Sequence, residues 1–211
     1  MPMLPIIRFH SAILSEQKEG SHEEVYRLTG HHCDYTGTDI ERLRRTRGGA
    51  GKGPITVGSK IDTEGGLLSQ MIILLLRDNG FEVVDKSSFG PTPVVKKALE
   101  SGELDLYPEY TGNGAFFFDE ADSDIWKDAR QSYKRVKKLD MEANNIVWLE
   151  PAPRVRGEVL DKYPEIADIL GPVFKTLDLE TLQALNGKIA VEGQSPADVA
   201  RDYLISKGFL K

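Results

Sequence analysis

Cysteine is all but missing from this chain, with Cys33 alone among 211 residues. One thiol cannot close an intramolecular disulfide, so no crosslinked framework is expected, and cysteine usage leaves the redox compartment open. Long apolar runs are missing too. The longest, Met71–Leu76, falls far short of the ~20 residues that a membrane-spanning helix needs, and reads as the middle of a buried helix. Positive charge is not in excess: 27 Lys and Arg stand against 33 Asp and Glu, a net charge of -6 that argues against non-specific nucleic-acid binding. The opening stretch MPMLPIIRFHSAIL has neither a leading basic cluster nor a proper apolar core, so it makes a poor signal peptide and obvious export is not expected from it.

What is present is an ordinary soluble composition, 40% hydrophobic and 28% charged, in a chain long enough to bury a core. It is unevenly distributed. Residues 1–53 hold 8 basic and 7 acidic side chains, while the rest is strongly acidic; Cys33 and all four histidines, His10, His22, His31 and His32, also fall in this first part. A basic stretch from Arg42 to Arg47 runs into Gly48-Gly49-Ala50-Gly51-Lys52-Gly53, whose glycines are too costly in entropy for regular structure. Residues 1–53 therefore read as an appendage and linker, partly disordered, and residues 54–211 as the folded domain.

From Ile55 the chain alternates. Ile55–Gly58 predicts a strand, then a helix capped by Asp62 or Thr63 and running to Asn79-Gly80, with Leu67, Leu68, Met71, Ile72, Leu75 and Leu76 on one face. Phe81–Val84 predicts a second strand, Ser87–Pro91 a loop, and Val94–Glu100 a helix with Thr92 as N-cap and Pro93 first inside. Leu104–Tyr107 and Ile146–Leu149 complete the strands around a helix over about 124–140. Helices follow at Glu158–Leu170, Leu179–Asn186 and Pro196–Lys207. This is an α/β pattern: a mainly parallel sheet over 54–153 with flanking helices, finished by a C-terminal helical segment over 154–211.

In such a sheet, ligands bind where strands end at their carboxyl side. Three loops qualify, Ser59–Glu64, Ser87–Thr92 and Pro108–Gly114, and their hydroxyls, amides and aromatic rings suit a small polar or zwitterionic ligand. Nothing points to catalysis. Glu109 and Asp105 lack a His, Ser or Cys partner at recognisable spacing and read as solvated or capping carboxylates. Gly48–Gly53 lacks the phosphate-loop spacing. His31-His32-Cys33-Asp34 has no second ligand pair and reads as incidental, so neither a metal nor a cofactor is expected. Phe116-Phe117-Phe118 reads as core packing.

Taken together, ITVGSKIDTEGGLLSQMI, FGPTPVVKKALESGELDLYPEYTGNG, NNIVWLEPAP and the ending LDLETLQALNGKIAVEGQSPADVARDYLISKGFL resemble the glycine betaine/choline-binding proteins of osmoprotectant ABC transporters, over about residues 54–211. The resemblance implies a single lobe of a periplasmic-binding-protein-like fold. Its ligand would be a quaternary ammonium or similar osmolyte, its partners ABC permease subunits, and its location periplasmic or extracytoplasmic. It implies one wall from Lys60, Ile61, Asp62 and Thr63, a floor including Phe89 and Thr92, and an opposite wall from Tyr110 and Thr111, with Tyr110 stacking on the ammonium. Two departures stand out. Pro151-Ala152-Pro153 leads straight into Arg154 where the family builds a second lobe, and Ile61-Asp62 replaces an Asn-Phe pair. Both imply weakened binding, and the lost lobe would leave an inter-lobe surface open to homodimerisation. The alternative is a truncated or engineered single-lobe protein that folds without transporting anything.

Overall fold

The computed structural model describes residues 52–150 and 153–211, all within one compact unit, Gly49–Lys211. The expectations for residues 1–51, including the metal-ligand cluster around Cys33 and the Arg42–Arg47 basic stretch, lie outside the described residues.

Strand β1 (Lys52–Lys60) begins earlier than Ile55, taking in Lys52 and Gly53 through pairing with β2 (Phe81–Gly90). Between them lies α1 (Thr63–Asp78), whose N-cap is Asp62: its side chain accepts the Gly65 N–H at 2.6 Å. The second crossover helix is α2 (Thr92–Glu100), which leads to β3 (Leu106–Pro108). Two expectations fail here. Residues 87–90 form strand rather than loop, and the α2 N-cap is Pro91, with Thr92 the first helical residue.

After β3 a 3-10 turn (Thr111–Asn113), the short α3 (Gly114–Phe117) and a second 3-10 turn (Asp124–Lys127) precede α4 (Ala129–Asn144) and β4 (Ile146–Trp148). A further strand, β5 (Pro153–Arg156), was not anticipated. The C-terminal part is α5 (Gly157–Lys162), α6 (Glu165–Phe174), α7 (Leu179–Ala190) and α8 (Pro196–Ser206). The single helix expected over 158–170 is thus two. Pro164 disfavours helical backbone at Tyr163, whose ψ of 68° breaks the run.

The sheet order is β2-β1-β3-β5-β4. β1 is parallel to β2 and β3, whereas β5 is antiparallel to both its neighbours, so four of the five strands share a direction. One face carries α1, buried between the sheet and the C-terminal helices; Leu67, Met71, Ile72, Ile73 and Leu76 are fully enclosed with Val57, Leu106, Val155, Ile166, Leu170, Val173, Ala200 and Leu204. That position explains why α1 is apolar nearly all round. The other face packs Val95, Ala98 and Leu99 of α2 against Leu104, Tyr107 and Ile146. Gly58 permits this closeness, since a Cβ there would stand 2.4 Å from Leu104 Cδ1. The carboxyl ends of β1, β2 and β3 therefore meet at one edge.

Candidate functional site

At that edge β1 ends in Lys60. Its ammonium is 6% exposed and pairs with Glu109 Oε1 at 2.9 Å, just beyond β3. Glu109 is not the solvated carboxylate its sequence context implied; it is 2% exposed and saturated with donors. Oε1 also accepts the Tyr110 N–H and Asn113 Nδ2, both at 2.8 Å, and Oε2 accepts the Tyr107 hydroxyl at 3.1 Å. Burying such a pair is tolerable because both carboxylate oxygens have donors and the ammonium also rests on an aromatic ring. Asp105 is likewise engaged, accepting the Thr56 N–H at 2.8 Å and pairing with Arg156 at 3.2 Å.

The Lys60 ammonium also lies 4.0 Å from the centroid of the Tyr110 ring. Residues expected on opposite walls are in direct contact. The Tyr110 hydroxyl donates to Glu64 Oε1 at 2.5 Å, and Glu64 Oε2 accepts Asn186 Nδ2 from α7 at 2.6 Å. Burial, followed by the hydrogen bond to Glu64, pushes the Tyr110 phenol above its ordinary range. Behind this cluster, Tyr107 accepts Arg154 Nη1 at 2.6 Å. Arg154 and Asp140 form a fully buried pair, with Nε and Nη2 donating to the carboxylate at 2.9 and 2.8 Å. The guanidinium is enclosed by the rings of Phe117, Trp148 and Tyr107 at 5.1, 5.4 and 5.5 Å.

The other expected site residues divide. Ile61, Asp62 and Thr63 are exposed, Ile61 at 64%, and Asp62 is committed to its cap. Thr111 is half-buried and opens the 3-10 turn. Phe89 is half-buried against the Val95–Leu99 cluster, with Lys86 Nζ 5.4 Å over its ring. Thr92 lines a cleft of about 430 Å³ with Pro93, Lys96, Asn113, Phe116 and Phe117, a volume in the range of small-molecule sites. Phe116 is 74% exposed at its rim, which overturns the core reading of that residue. Asn113 joins the cleft to the Lys60–Glu109 pair. Among the described residues, no three His, Cys, Asp or Glu side chains are grouped to hold a metal, and no helix is long and apolar enough to cross a membrane.

Comparison with known proteins assigns the chain to a family. The family model for the substrate binding domain of ABC-type glycine betaine transport systems matches residues 53–154 and 150–206. The chain belongs to that family. The glycine betaine-binding protein YehZ of Escherichia coli (strain K12) is 31% identical over 280 residues, an alignment taking in 75% of this chain and 92% of that protein. A glycine-betaine-binding protein of Pseudomonas aeruginosa is 37% identical over 117 residues, covering 56% of this chain and 36% of its own length. Among solved structures, apo YehZ from Escherichia coli matches with a TM-score of 0.73 and 31% identity, over 74% of this chain and 99% of that one. A glycine betaine/carnitine/choline ABC transporter structure, with a TM-score of 0.67 and 11% identity, covers 75% and 99% and shares the fold. The family is one of transport substrate-binding domains, defined by capture of a ligand rather than by a catalysed reaction.

Glu64, Tyr107, Glu109, Arg154 and Asn186 are bonded into the candidate site; only Glu64 and Glu109 fall in loops that sequence reasoning marked, and neither was named as a binding residue. A signal for one of them existed. Tyr107 and Glu109 are two apart at the end of an expected strand and so share a face, which pairs Glu109 with a large aromatic side chain that favours burial.

Proposed function

We propose that residues 54–211 form one lobe of an osmolyte-binding protein that serves an ABC permease outside the cytoplasm, and that residues 1–53 are an appendage to it. The ligand is a quaternary ammonium of the glycine betaine class, contacted from this side by Lys60–Thr63, Phe89, Thr92, Tyr110 and Thr111. The observation that carries this reading is the Tyr110 ring at the carboxyl edge of the sheet. Tyr110 is 40% exposed, its hydroxyl donates to Glu64, and the Lys60 ammonium covers one part of its ring, so the exposed remainder is open to a second cation. The two segments matching the family meet at residues 150–154. The YehZ alignment also spans many more positions than this chain contributes, which supports the absence of a block on the order of a hundred residues, a domain's worth. Binding from one lobe leaves the ligand wet, whereas sites of this kind enclose most of it. Calorimetric titration with glycine betaine is expected to give a millimolar or undetectable affinity; micromolar affinity in the monomer would overturn the half-site reading.

A second reading is a lobe that folds and self-associates without transport. It is favoured by the exposed apolar side chains of Ile61, Val94 and Phe116 near the strand ends. Sedimentation across a concentration series separates the two, since a plain monomer at all concentrations excludes self-association.

A further inference from the structure

Two buried ion pairs lie in this lobe, Arg154–Asp140 beneath the sheet edge and Lys60–Glu109 at the candidate site. A single hydroxyl joins them. Tyr107 accepts Arg154 Nη1 at 2.6 Å and donates to Glu109 Oε2 at 3.1 Å. Its direction is therefore set: a guanidinium can only donate, so the phenolic proton is left to point at Glu109. The Tyr107 side chain is fully buried, and its phenol is pushed far above the ordinary range, first by burial, so it remains a donor. The carboxylate so oriented holds the Lys60 ammonium over one face of Tyr110. Without the Tyr107 bond, Glu109 Oε2 would have no partner among the described residues, and the carboxylate, held through Oε1 alone, could tilt about that oxygen and carry the Lys60 ammonium with it.

We propose that Tyr107 is a positioning residue. Through Glu109 it fixes the Lys60 ammonium on Tyr110, so that one ring face is already occupied by the protein's own cation and the exposed remainder is what a ligand meets. Arg154 anchors Tyr107 from the opposite side, at the point in the chain where the two family-matching segments meet. The relay runs Asp140, Arg154, Tyr107, Glu109, Lys60, and networks of this kind transmit more than their isolated pairs. The proposal rests on the binding-lobe reading only for the ligand, not for the geometry.

The test uses the full chain, isotopically labelled, and reads the Lys60 Hε resonances by NMR. Those protons sit above the Tyr110 ring and are displaced upfield by its ring current. Tyr107→Phe is expected to lose at least half of that displacement. A merely structural tyrosine would lower the unfolding midpoint and leave the Lys60 signal of the folded population in place; that result overturns the proposal. If Tyr107→Phe does not fold, Asn113→Ala removes a half-buried donor from the same carboxylate and is expected to lose a smaller, measurable part of the displacement. An unchanged Lys60 signal in folded Asn113→Ala then overturns it. Collapse of the Lys60 displacement in Tyr107→Phe, in a parent chain that binds betaine at micromolar affinity as a monomer, supports the relay and sinks the half-site reading, so the two fail separately.

Discussion

Glu64 and Tyr110 are 46 residues apart in the chain and joined by a 2.5 Å hydrogen bond, with the phenol donating to the carboxylate. The other oxygen of Glu64 takes the Asn186 amide, so one side chain in the first turn of α1 ties the aromatic ring of the candidate site to α7. Tyr110 can be held in this way because the loop after β3 brings it back over the N-terminal end of α1. The ring's orientation is a property of three distant segments and not of its own loop.

Glu64→Gln keeps one acceptor but removes the charge that strengthens both hydrogen bonds. The site is partly open to solvent, so the expected loss of stability is modest, about 1 kcal/mol. Urea unfolding measures it. The sharper expectation is that Asn186→Ala adds little on top of Glu64→Gln, because both act on one network; full additivity would show that the two bonds are independent.

Alkaline stability follows from the phenols. Tyr107 and Tyr110 are both raised in the folded chain, principally by burial. A group whose folded value is raised favours the fold while protonated. Its contribution is complete below the unfolded value of about 10 and is lost as the pH climbs past it toward the folded value. Urea midpoints should therefore hold up to about pH 9 and fall beyond pH 10. Tyr110→Phe should make that fall shallower. A parallel fall in the variant would mean that Tyr110 is not among the groups responsible.

Much of the fold was legible in the sequence because its signals are local. The Asp62 cap and the apolar positions of α1 lie within one segment and need no partner to be read. The stretch Ser87–Gly90 reads as a loop because its serines and glycine are common turn residues, but an edge strand tolerates them, and β2 is the edge of the sheet. β5 escaped for a different reason. Pro153 and Arg154 are poor strand residues by propensity, and only Asp140 and Tyr107, 14 and 47 residues away, make burial of that arginine affordable. The candidate site follows the same division: residues 61–62 and 109–110 do follow the ends of β1 and β3, whereas Ser87–Gly90 belongs to β2 itself. The pairing of Lys60 with Glu109 across 49 residues depends on the register of β1 with β3, which no local pattern encodes.

Gly58 gives a prediction about packing between the sheet and the residue preceding β3. A Cβ at this position would meet Leu104 Cδ1 at 2.4 Å and Cδ2 at 3.0 Å, and Leu104 is fully buried. Gly58→Ala should cost about 1–3 kcal/mol through overpacking. Combining it with Leu104→Val, which shortens the obstructing side chain, should cost less than the two changes separately. Equal or greater loss in the double variant, read from urea unfolding, would place the strain elsewhere.

The Arg154–Asp140 pair offers the clearest energetic test. Both side chains are fully buried, and Asp140 also accepts Trp148 Nε1 at 2.5 Å and Asn144 Nδ2 at 3.0 Å. Asp140→Asn leaves the guanidinium enclosed by three aromatic rings without a counter-charge, and breaking a buried pair from one side costs about 3–5 kcal/mol. Arg154→Met, conversely, leaves the carboxylate with only its two neutral donors and takes from Tyr107 the group that orients it. Because each single change strands a charge, the double change Asp140→Asn with Arg154→Met removes both problems together. It should be more stable than the sum of the singles implies, with a coupling of about 2 kcal/mol. Denaturant unfolding of the four proteins at neutral pH closes the cycle. Simple additivity would mean that the two groups act independently of each other despite their contact.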